Sequence, residues 1–353
     1  MFFYKKTAFG LDIGDRSIKL IEIKRIKNLR GVERNVLTSF NEKKIQAGII
    51  VKGEIKNPPA VIEAIKKCVK EAKGSLVDTK TVVTSLPETQ SYFKVINTPP
   101  ANYKGNMLDY IKTSIQQNFP LDDGQFYYSW QKNFKNRISI AAAPKNIVDS
   151  YTNVIEQANL IPVALELEGV AIARALINEY VGVKEKPQIL IDMGASRSSL
   201  IAIDKNEIIA ILHIELSGDE MRNAIAKAHK LSLEEAEKIK ISCGLDLKKC
   251  PIKIRKTINN IIHSNSKQIK SGLSFVNRIL PTKADKVYIC GGVSQMSKIT
   301  SILSDNLKMK VRHADPLRNI ALNKKINLSN EELLKFITAI GLAIRGINNN
   351  ILQ

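Results

Sequence analysis

The sequence predicts an α/β protein built from two related lobes that face each other. Three observations carry this prediction: a β-hairpin pattern near the N-terminus, a matching hairpin pattern near the middle, and a later strand that ends in a glycine pair. With 353 residues, the chain is long enough for two or three domains and a substantial hydrophobic core.

The first hairpin pattern reads FGLDIGDRSIKLIEI and spans residues 9–23. An apolar strand carries Asp12 near its end, a turn of small and polar residues contains Gly14, and a second apolar strand follows. A turn opened by glycine lets backbone N–H groups approach phosphate oxygens, and a neighbouring aspartate can hold a water of a Mg2+ ion. Lys19 lies where its ammonium group could reach a β- or γ-phosphate.

The second hairpin pattern reads ILIDMGASRSSLIAI over residues 189–203 and repeats the first at a separation of 180 residues. Asp192 corresponds to Asp12 and Gly194 to Gly14. A single aspartate–glycine turn more often satisfies its own backbone than binds a ligand. That alternative gives no reason for the recurrence, which instead favours two related domains that face each other.

The third segment, VYICGGVS at 287–294, reads as a buried strand that ends in Gly291 and Gly292, with a helix predicted from about 295 to 307. Bare backbone at such a junction allows a flat ring or a sugar to lie against it, although a lone glycine pair is usually just a tight connection. The sequence contains neither GxxxxGK[ST] nor GxGxxG, so the P-loop and the dinucleotide fingerprint do not apply.

Between the two hairpins, the segment 91–162 predicts a small α+β module in the order β-α-β-β-α-β. Its aromatic residues Tyr127, Tyr128 and Trp130 are expected to pack in a core or edge rather than bind a ligand. Strands are predicted at 92–97, 126–133, 137–143 and 162–167, and helices at 104–119 and 145–158.

The chain is strongly basic, because its 54 Lys and Arg residues outnumber its 34 Asp and Glu residues and give a net charge of +20. This balance indicates a polyanionic neighbour: nucleic acid, an anionic membrane face or a phosphate-bearing ligand. Residues 247–284 hold nine of the cations and no acid, which predicts one or two amphipathic helices with a basic solvent face. Such a face would lie favourably near an anionic leaflet; the alternative is a Lys-rich composition without a partner. No specific nucleic-acid motif accompanies it.

Several protein classes are excluded by pattern. No uncharged stretch approaches the 18 or so residues that a membrane-spanning helix needs. The four cysteines form no CxxC pair and the four histidines no HExxH motif, which argues against a disulfide framework and a zinc hydrolase. We therefore expect a cytosolic protein with buried thiols.

Together the three segments resemble the nucleotide-binding motifs of the actin, sugar-kinase and heat-shock-chaperone ATPase superfamily. LDIGDRSIKL resembles the phosphate-1 motif, IDMGASRSSL the phosphate-2 motif and YICGGVSQM the adenosine motif. More narrowly, YKGNMLDYIKTSIQQNFPLDDGQFYYSW, RISIAAAPKNIVDSY, LIPVALELEGVAIARAL and FITAIGLAIRGI are similar to segments of the PilM family of type IV pilus assembly, relatives of the division protein FtsA.

The resemblance implies an actin-like, ribonuclease H-like two-lobed ATPase fold with an inserted β-α-β-β-α-β subdomain. The first lobe would comprise 1–90, completed by 163–182 and by a C-terminal helix at 331–347. The inserted subdomain would cover 91–162. The second lobe would cover 183–330 and would include a basic helical subdomain at about 212–284.

The resemblance also implies a site for ATP and Mg2+. Asp12 and Asp192 would hold the hydrated metal, and Glu168 matches the place where relatives position or activate the attacking water. Glu168 also starts a helix, where a carboxylate is favourable without any catalytic role. Glu237 could instead lie on a solvated helix face without binding a ligand. The residues that would bind ATP are Gly14, Asp15, Arg16, Ser17, Lys19, Gly194, Ala195, Ser196, Gly218, Asp219, Glu237, Lys240, Gly291, Gly292, Val293 and Ser294.

One position departs from the superfamily pattern. Asp15 occupies a turn position where relatives usually carry Ala, Thr or Ser. A carboxylate there would repel a triphosphate unless Arg16 or the metal compensates. Arg197 in the second hairpin could offset the charge or could point to solvent.

The resemblance to the PilM family implies that this protein is a cytoplasmic ATP-binding scaffold at the inner face of the cell membrane, with slow ATP hydrolysis at most. Their partner would be the N-terminal cytoplasmic peptide of a PilN-like inner-membrane protein, bound in a groove between the inserted subdomain and the core. Self-association stays open. The alternatives are a small-molecule kinase, a filament former like FtsA and a nucleotide-free adaptor. Because only seven residues follow Gly346, we expect membrane attachment through a partner rather than through an amphipathic tail.

Overall fold

The structure, a computed structural model, describes residues 7–27, 31–122, 124–133, 136–177, 186–246 and 248–348. The predicted boundary between 182 and 183 lies outside these residues. The N-terminal part forms β1 (Phe9–Ile13), β2 (Ser17–Lys27), β3 (Glu33–Lys44), β4 (Ile50–Val51), β5 (Glu54–Ile55), α1 (Pro58–Lys70), β6 (Lys73–Gly74) and β7 (Thr81–Leu86).

The middle part forms β8 (Tyr92–Asn97), α2 (Met107–Asn118), β9 (Phe126–Asn133), β10 (Arg137–Pro144), α3 (Lys145–Gln157), β11 (Ile161–Leu167) and α4 (Glu168–Leu176). The C-terminal part forms β12 (Gln188–Met193), β13 (Ser198–Asp204), β14 (Glu207–Ile214), α5 (Gly218–His229), α6 (Leu233–Cys243), α7 (Ile252–Ile279), β15 (Lys286–Cys290), α8 (Ile299–Leu307), β16 (Lys310–His313), β17 (Ala321–Leu322), α9 (Asn330–Leu333) and α10 (Ile337–Ile347).

Two sheets repeat one topology. In the first lobe the strand order is β11-β7-β1-β2-β3-β17, and in the second it is β14-β13-β12-β15-β16. In each, a three-stranded antiparallel meander (β1-β2-β3 or β12-β13-β14) is followed by a strand parallel to its first member, β7 or β15. The repeat at 180 residues therefore corresponds to two lobes of the same construction.

Helices α4 and α10 lie between the two sheets. Their buried apolar residues share one core with Ile21 and Ile23 of the first sheet and with Leu190 and Ile201 of the second. The two helices approach each other so closely that a Cβ atom on Gly341 would lie 1.8 Å from the carbonyl oxygen of Ala171. This shared core places the hairpin turns of both lobes at one cleft.

The inserted segment has the predicted element order, but only three of its four predicted strands form its sheet. Strands β8, β10 and β9 form a separate three-stranded sheet that packs against α2. Strand β11 instead pairs with β7 of the first lobe. Helix α3 buries Ile147, Tyr151, Val154 and Ile155 in the first-lobe core. The last helix and strand of the predicted module therefore pack with the first lobe.

The basic segment forms one long helix, α7, rather than two. Its apolar stripe, which includes Ile254, Ile258 and Ile269, is buried in the second-lobe core. The helix predicted at about 295–307 begins only at Ile299, since Gly292–Gln295 form a 3-10 turn. Among the described residues, no helix is both long and apolar enough to cross a bilayer.

Candidate functional site

A cleft of about 530 Å³ lies where the two hairpin turns, the start of α5 and the glycine pair after β15 meet. All predicted site residues except Ser294 line this cleft. Ser294 is buried, and its hydroxyl donates to the carbonyl oxygen of Gly291 at 2.7 Å. A side-chain contact from Ser294 to a ligand in the cleft is therefore not supported, and its hydroxyl instead fixes the turn.

The two hairpin turns close in the same way. The backbone N–H of Gly14 donates to the carbonyl of Ser17 at 3.0 Å, and that of Gly194 donates to the carbonyl of Arg197 at 3.0 Å. A Cβ atom on Gly194 would lie 2.5 Å from that carbonyl oxygen, so the turn requires glycine. The sequence repeat therefore produces the same closing hydrogen bond in the turns on both sides of the cleft.

In the first hairpin, Asp12 and Lys19 face each other across the strand pair. The Lys19 ammonium donates to Asp12 Oδ2 at 3.1 Å, and the Ser85 hydroxyl donates to Asp12 Oδ1 at 3.1 Å. Burial lowers the pKa of Lys19, but the carboxylates of Asp12 and Glu42 raise it more, and the net shift is upward. Lys19 therefore stays charged at the cleft floor.

In the second hairpin, the residue opposite Asp192 is Ser199, which carries no charge. The polar side-chain contact of Asp192 is the Cys290 thiol, whose sulfur lies 3.7 Å from Oδ1. Burial, followed by repulsion from Glu168 and Asp12, raises the pKa of Asp192 to about 7. A cation placed beside these carboxylates would relieve that repulsion.

Arg197 joins the turn of the first hairpin to the start of α4. Its guanidinium donates to Asp15 Oδ1 at 3.0 Å and from Nε to Glu168 Oε2 at 3.2 Å, with a second bond to Glu168. Burial lowers the pKa of Arg197, but Glu168 and Asp15 raise it well above its usual value. Arg197 is buried, so the expectation that it could point to solvent is wrong.

Glu168 is the first residue of α4, as the sequence predicts, and its side chain is buried. Both of its carboxylate oxygens accept hydrogen bonds from Arg197. In this arrangement Glu168 is held by an ion pair, and its role in activating water stays a prediction.

The start of α5 packs on the second hairpin turn. The N–H of Gly218 donates to the carbonyl of Gly194 at 3.1 Å, and that of Asp219 donates to the carbonyl of Ala195 at 2.7 Å. The Asp219 carboxylate accepts from Arg16 Nη2 at 2.6 Å. The two residues therefore open α5 directly against the second hairpin turn.

Residues of α6 face the glycine pair across the cleft. The buried Lys240 ammonium donates to the carbonyl of Gly218 at 3.0 Å and lies 2.8 Å from Glu237. Glu237 lines the cleft instead of a fully solvated helix face. Gly291 has φ of 85°, and a Cβ atom there would lie 2.5 Å from Asp192, whereas one on Gly292 would meet no atom within 4 Å. Gly292 leaves this wall open to a flat ligand group.

These residues fit a nucleotide with a hydrated magnesium ion. Among the residues that the structure describes, no three or more His, Cys, Asp or Glu side chains form a metal-binding cluster. Mg2+ usually keeps several waters and takes only one or two carboxylates along with phosphate oxygens. Asp12 and Asp192 would supply the two carboxylates, and Lys19 would supply a cation for the phosphates.

The sequence interpretation missed several residues of the cleft and its surroundings. Glu42 and Lys335 line the cleft as an ion pair at 2.5 Å, although 293 positions separate them. Ser85 and Arg222 contact Asp12 and Asp219, respectively. No spacing rule connects such distant positions, so their convergence depends on the fold.

Glu88 is the most informative of the missed residues. Its carboxylate accepts from the N–H of Gly169 at 2.5 Å and from the hydroxyl of Ser199. Burial, followed by repulsion from Glu168, raises the pKa of Glu88 to about 7. Glu88 also lines a second groove of about 280 Å³, together with Ser91, Tyr92, Phe93, Lys94, Asn118, Phe119, Leu167, Ile211 and His213.

Two lobes of equal topology, joined by a shared helical core and carrying matched hairpin turns at one cleft, define an actin-like fold. Residues 10–347 match the family model described as type IV pilus assembly protein PilM. The chain therefore belongs to the PilM family of type IV pilus assembly proteins.

Solved structures with the same fold include a PilM–PilN type IV pilus biogenesis complex, with 22% identity, a TM-score of 0.82 and coverage of 98% of this chain and 99% of the other. EutJ from Carboxydothermus hydrogenoformans has 16% identity, a TM-score of 0.56 and coverage of 96% and 89%. MreB5 of Spiroplasma citri, bound to ADP, has 13% identity, a TM-score of 0.52 and coverage of 96% of both chains.

A curated relative is the cell division protein FtsA of Streptococcus pneumoniae. It is 24% identical over 264 residues, which cover 67% of this chain and 55% of FtsA. The chain thus spans about half the length of this relative. The expected actin-like fold and the expected kinship with PilM and FtsA are confirmed.

Proposed function

We propose that the cleft binds ATP with Mg2+ and that nucleotide occupancy controls docking of a PilN-like membrane protein during pilus assembly. The observation that supports this most directly is the convergence of both hairpin turns and the glycine pair on one cleft. Turn N–H groups would hold the phosphates, Asp12 and Asp192 the hydrated metal, and Gly292 would leave room for the adenosine.

ATP hydrolysis would be slow in this arrangement. Glu168 is the carboxylate to which the superfamily resemblance assigns water activation, but Arg197 engages both of its oxygens. A general base must be free to accept a proton from the attacking water. The bound metal ion would supply charge neutralisation for the phosphates, while the residues of this chain bind and orient the nucleotide.

The partner would bind in the second groove, between the inserted sheet and the second lobe. Its walls come from β8, α2 and β14, and both β8 and β14 are edge strands of their sheets. Tyr92, Phe119 and Ile211 provide an apolar surface there. An extended peptide commonly binds by adding to an exposed strand edge and placing alternate side chains in pockets. The structural similarity to PilM in its complex with PilN supports a PilN-like partner.

Glu88 provides a physical connection between groove and cleft. It lines the groove and accepts hydrogen bonds from Gly169, which follows Glu168, and from Ser199, which lies opposite Asp192. A shift of either lobe on nucleotide binding would therefore change the position of a groove residue. Nucleotide and peptide would each alter the affinity for the other, as linkage requires.

We place the protein at the cytoplasmic face of the inner membrane, held by its PilN-like partner. The basic outer face of α7, with the exposed Lys253, Lys256, Lys267, Lys270 and Arg278, would add electrostatic attraction to anionic lipid. Each basic residue near such a surface contributes about 1 kcal/mol.

Calorimetric titration with ATP and Mg2+ tests the nucleotide site. We expect saturable binding by the wild type and at least about tenfold weaker binding by Asp12→Ala, because each 1.4 kcal/mol lost in metal or phosphate contacts is a factor of ten. Asp78→Ala, at an exposed acid with a surface ion pair, is the matched control and should bind like the wild type. A folded wild type that binds no ATP at millimolar concentration would overturn the proposal.

A further inference from the structure

We propose that two ion pairs of opposite polarity, Asp15–Arg197 and Arg16–Asp219, form a clasp that holds the cleft closed without nucleotide. The Asp15 carboxylate of this clasp would compete with phosphate for the second hairpin. This inference rests on the proposed nucleotide site. Asp15 and Arg16 are neighbours of opposite charge in the first hairpin turn. Each is paired with a residue of opposite charge in the second lobe, Arg197 and Asp219 respectively.

The Asp15 carboxylate occupies donors of the second hairpin. Ser196 donates its hydroxyl to Oδ2 at 2.6 Å, and Arg197 donates to Oδ1 at 3.0 Å. The N–H of Gly53 adds a third bond to Oδ1 at 3.0 Å. A residue that the superfamily pattern suggested would repel phosphate is thus only 6% exposed and fully paired. Its carboxylate is an anion bound by the turn that would otherwise bind a phosphate.

The Arg16 half of the clasp has the reverse polarity. Its guanidinium makes a two-pronged contact with Asp219, from Nη2 at 2.6 Å and from Nε at 3.1 Å. Asp219 is also held by Arg222 at 2.9 Å, so its position does not depend on Arg16 alone. Paired arginine–carboxylate contacts of this kind fix geometry as well as charge. Both halves of the clasp connect the first hairpin turn to the second lobe.

The clasp has a consequence for ligand binding. A nucleotide phosphate that reaches Ser196 and Arg197 must displace the Asp15 carboxylate, since both of its oxygens already accept hydrogen bonds. Displacement releases one connection between the lobes at the moment when phosphate supplies another. Asp15 therefore lowers the apparent nucleotide affinity and keeps the nucleotide-free cleft closed.

Asp15→Ser tests the competition, because it removes the carboxylate while Glu168 still neutralises Arg197. In calorimetry with ATP and Mg2+ we expect binding at least about tenfold tighter than that of the wild type, a change worth 1.4 kcal/mol. In nucleotide-free protein we expect faster amide hydrogen exchange at 194–199. Asp305→Ser, at an exposed acid on α8, is the charge-matched control and should change neither quantity.

A double-mutant cycle tests the other half. Arg16→Gln and Asp219→Asn should each lower the unfolding midpoint of the nucleotide-free protein, and the double variant should lose clearly less than the sum of the two single losses. Additive losses would overturn the clasp. Equal ATP affinity of wild type and Asp15→Ser would overturn the competition. If neither protein binds ATP, the nucleotide site and the competition both fall, and the cycle alone decides whether the clasp exists.

Discussion

The two hairpins have the same topology and the same turn closure, yet their aspartates lie in opposite electrostatic surroundings. Asp12 faces Lys19 across its strand pair, whereas Asp192 faces Ser199 at the matching position. Asp12 is ion-paired at 3.1 Å, while burial and nearby carboxylates raise the pKa of Asp192 to about 7. At the strand position that faces the aspartate, Lys19 of the first hairpin corresponds to the uncharged Ser199 of the second.

This difference indicates a division of roles between repeated elements. In the first hairpin, Lys19 neutralises the charge of Asp12 without a ligand. The second lacks a cation at that position and uses Ser199 to contact Glu88. A metal ion would therefore stabilise the second hairpin more than the first, because it would relieve the repulsion among the buried carboxylates there.

The largest expected effect comes from removing the cation of the first hairpin. Lys19→Met leaves Asp12 buried without an ion-pair partner, and loss of one partner of a buried pair costs about 3–5 kcal/mol. Lys27→Met on the same strand removes an exposed pair with Glu33 and should cost about 0–1 kcal/mol. Denaturant unfolding measures both. Equal losses for the two variants would contradict the conclusion that Lys19 is the buried ion-pair partner of Asp12.

The matched aspartates should respond with opposite signs when each is replaced by asparagine. Asp12→Asn leaves the Lys19 ammonium buried beside a neutral amide, so we expect a loss of about 1–3 kcal/mol in unfolding free energy.

Asp192→Asn removes a group whose pKa is raised from 3.8 to about 7 in the folded state. The stability contributed by such a group is fully present below its unfolded pKa and is lost as pH rises through about 7. Asparagine does not ionise, so the variant should match the wild type below about pH 4 and exceed it by about 1–3 kcal/mol at pH 8. Losses of the same sign at both positions would show that the two environments do not differ.

A smaller effect of the same kind is expected at Glu88, whose pKa is raised from 4.5 to about 7. Glu88→Gln keeps an acceptor for the N–H of Gly169, whereas its amide N–H would donate to the Ser199 hydroxyl and so reverse that bond. The variant should gain about 1 kcal/mol over the wild type at pH 8 and nothing below about pH 4, by the same linkage. Glu156→Gln, at an exposed position on α3, should show no pH-dependent difference.

Much of the fold was predictable because the sequence repeats its own pattern. The two hairpins and the strand before Gly291 are encoded in short stretches whose period and glycine positions are visible locally. The inserted segment shows the limit of this approach. Its strands were predicted closely, but periodicity does not tell which sheet a strand joins, and β11 pairs with β7.

Part of the site was predictable because its residues belong to the repeated pattern, but the prediction of the site was incomplete. Lys19, Asp12 and Asp192 belong to the repeated pattern. Glu88 and the Glu42–Lys335 pair do not, because each gains its contacts only when distant segments pack together. The pairing of Asp15 with Arg197 across 182 positions likewise depends on both lobes being folded.

The central claim is that nucleotide state changes the affinity for the PilN-like peptide. The most direct measurement is fluorescence anisotropy of a labelled N-terminal cytoplasmic peptide of that partner, titrated with wild-type protein with and without saturating ATP and Mg2+. We predict dissociation constants that differ by at least about fivefold, the lower end of ordinary allosteric coupling, and no difference for Asp12→Ala. Equal constants in a wild type that binds ATP would contradict the claim.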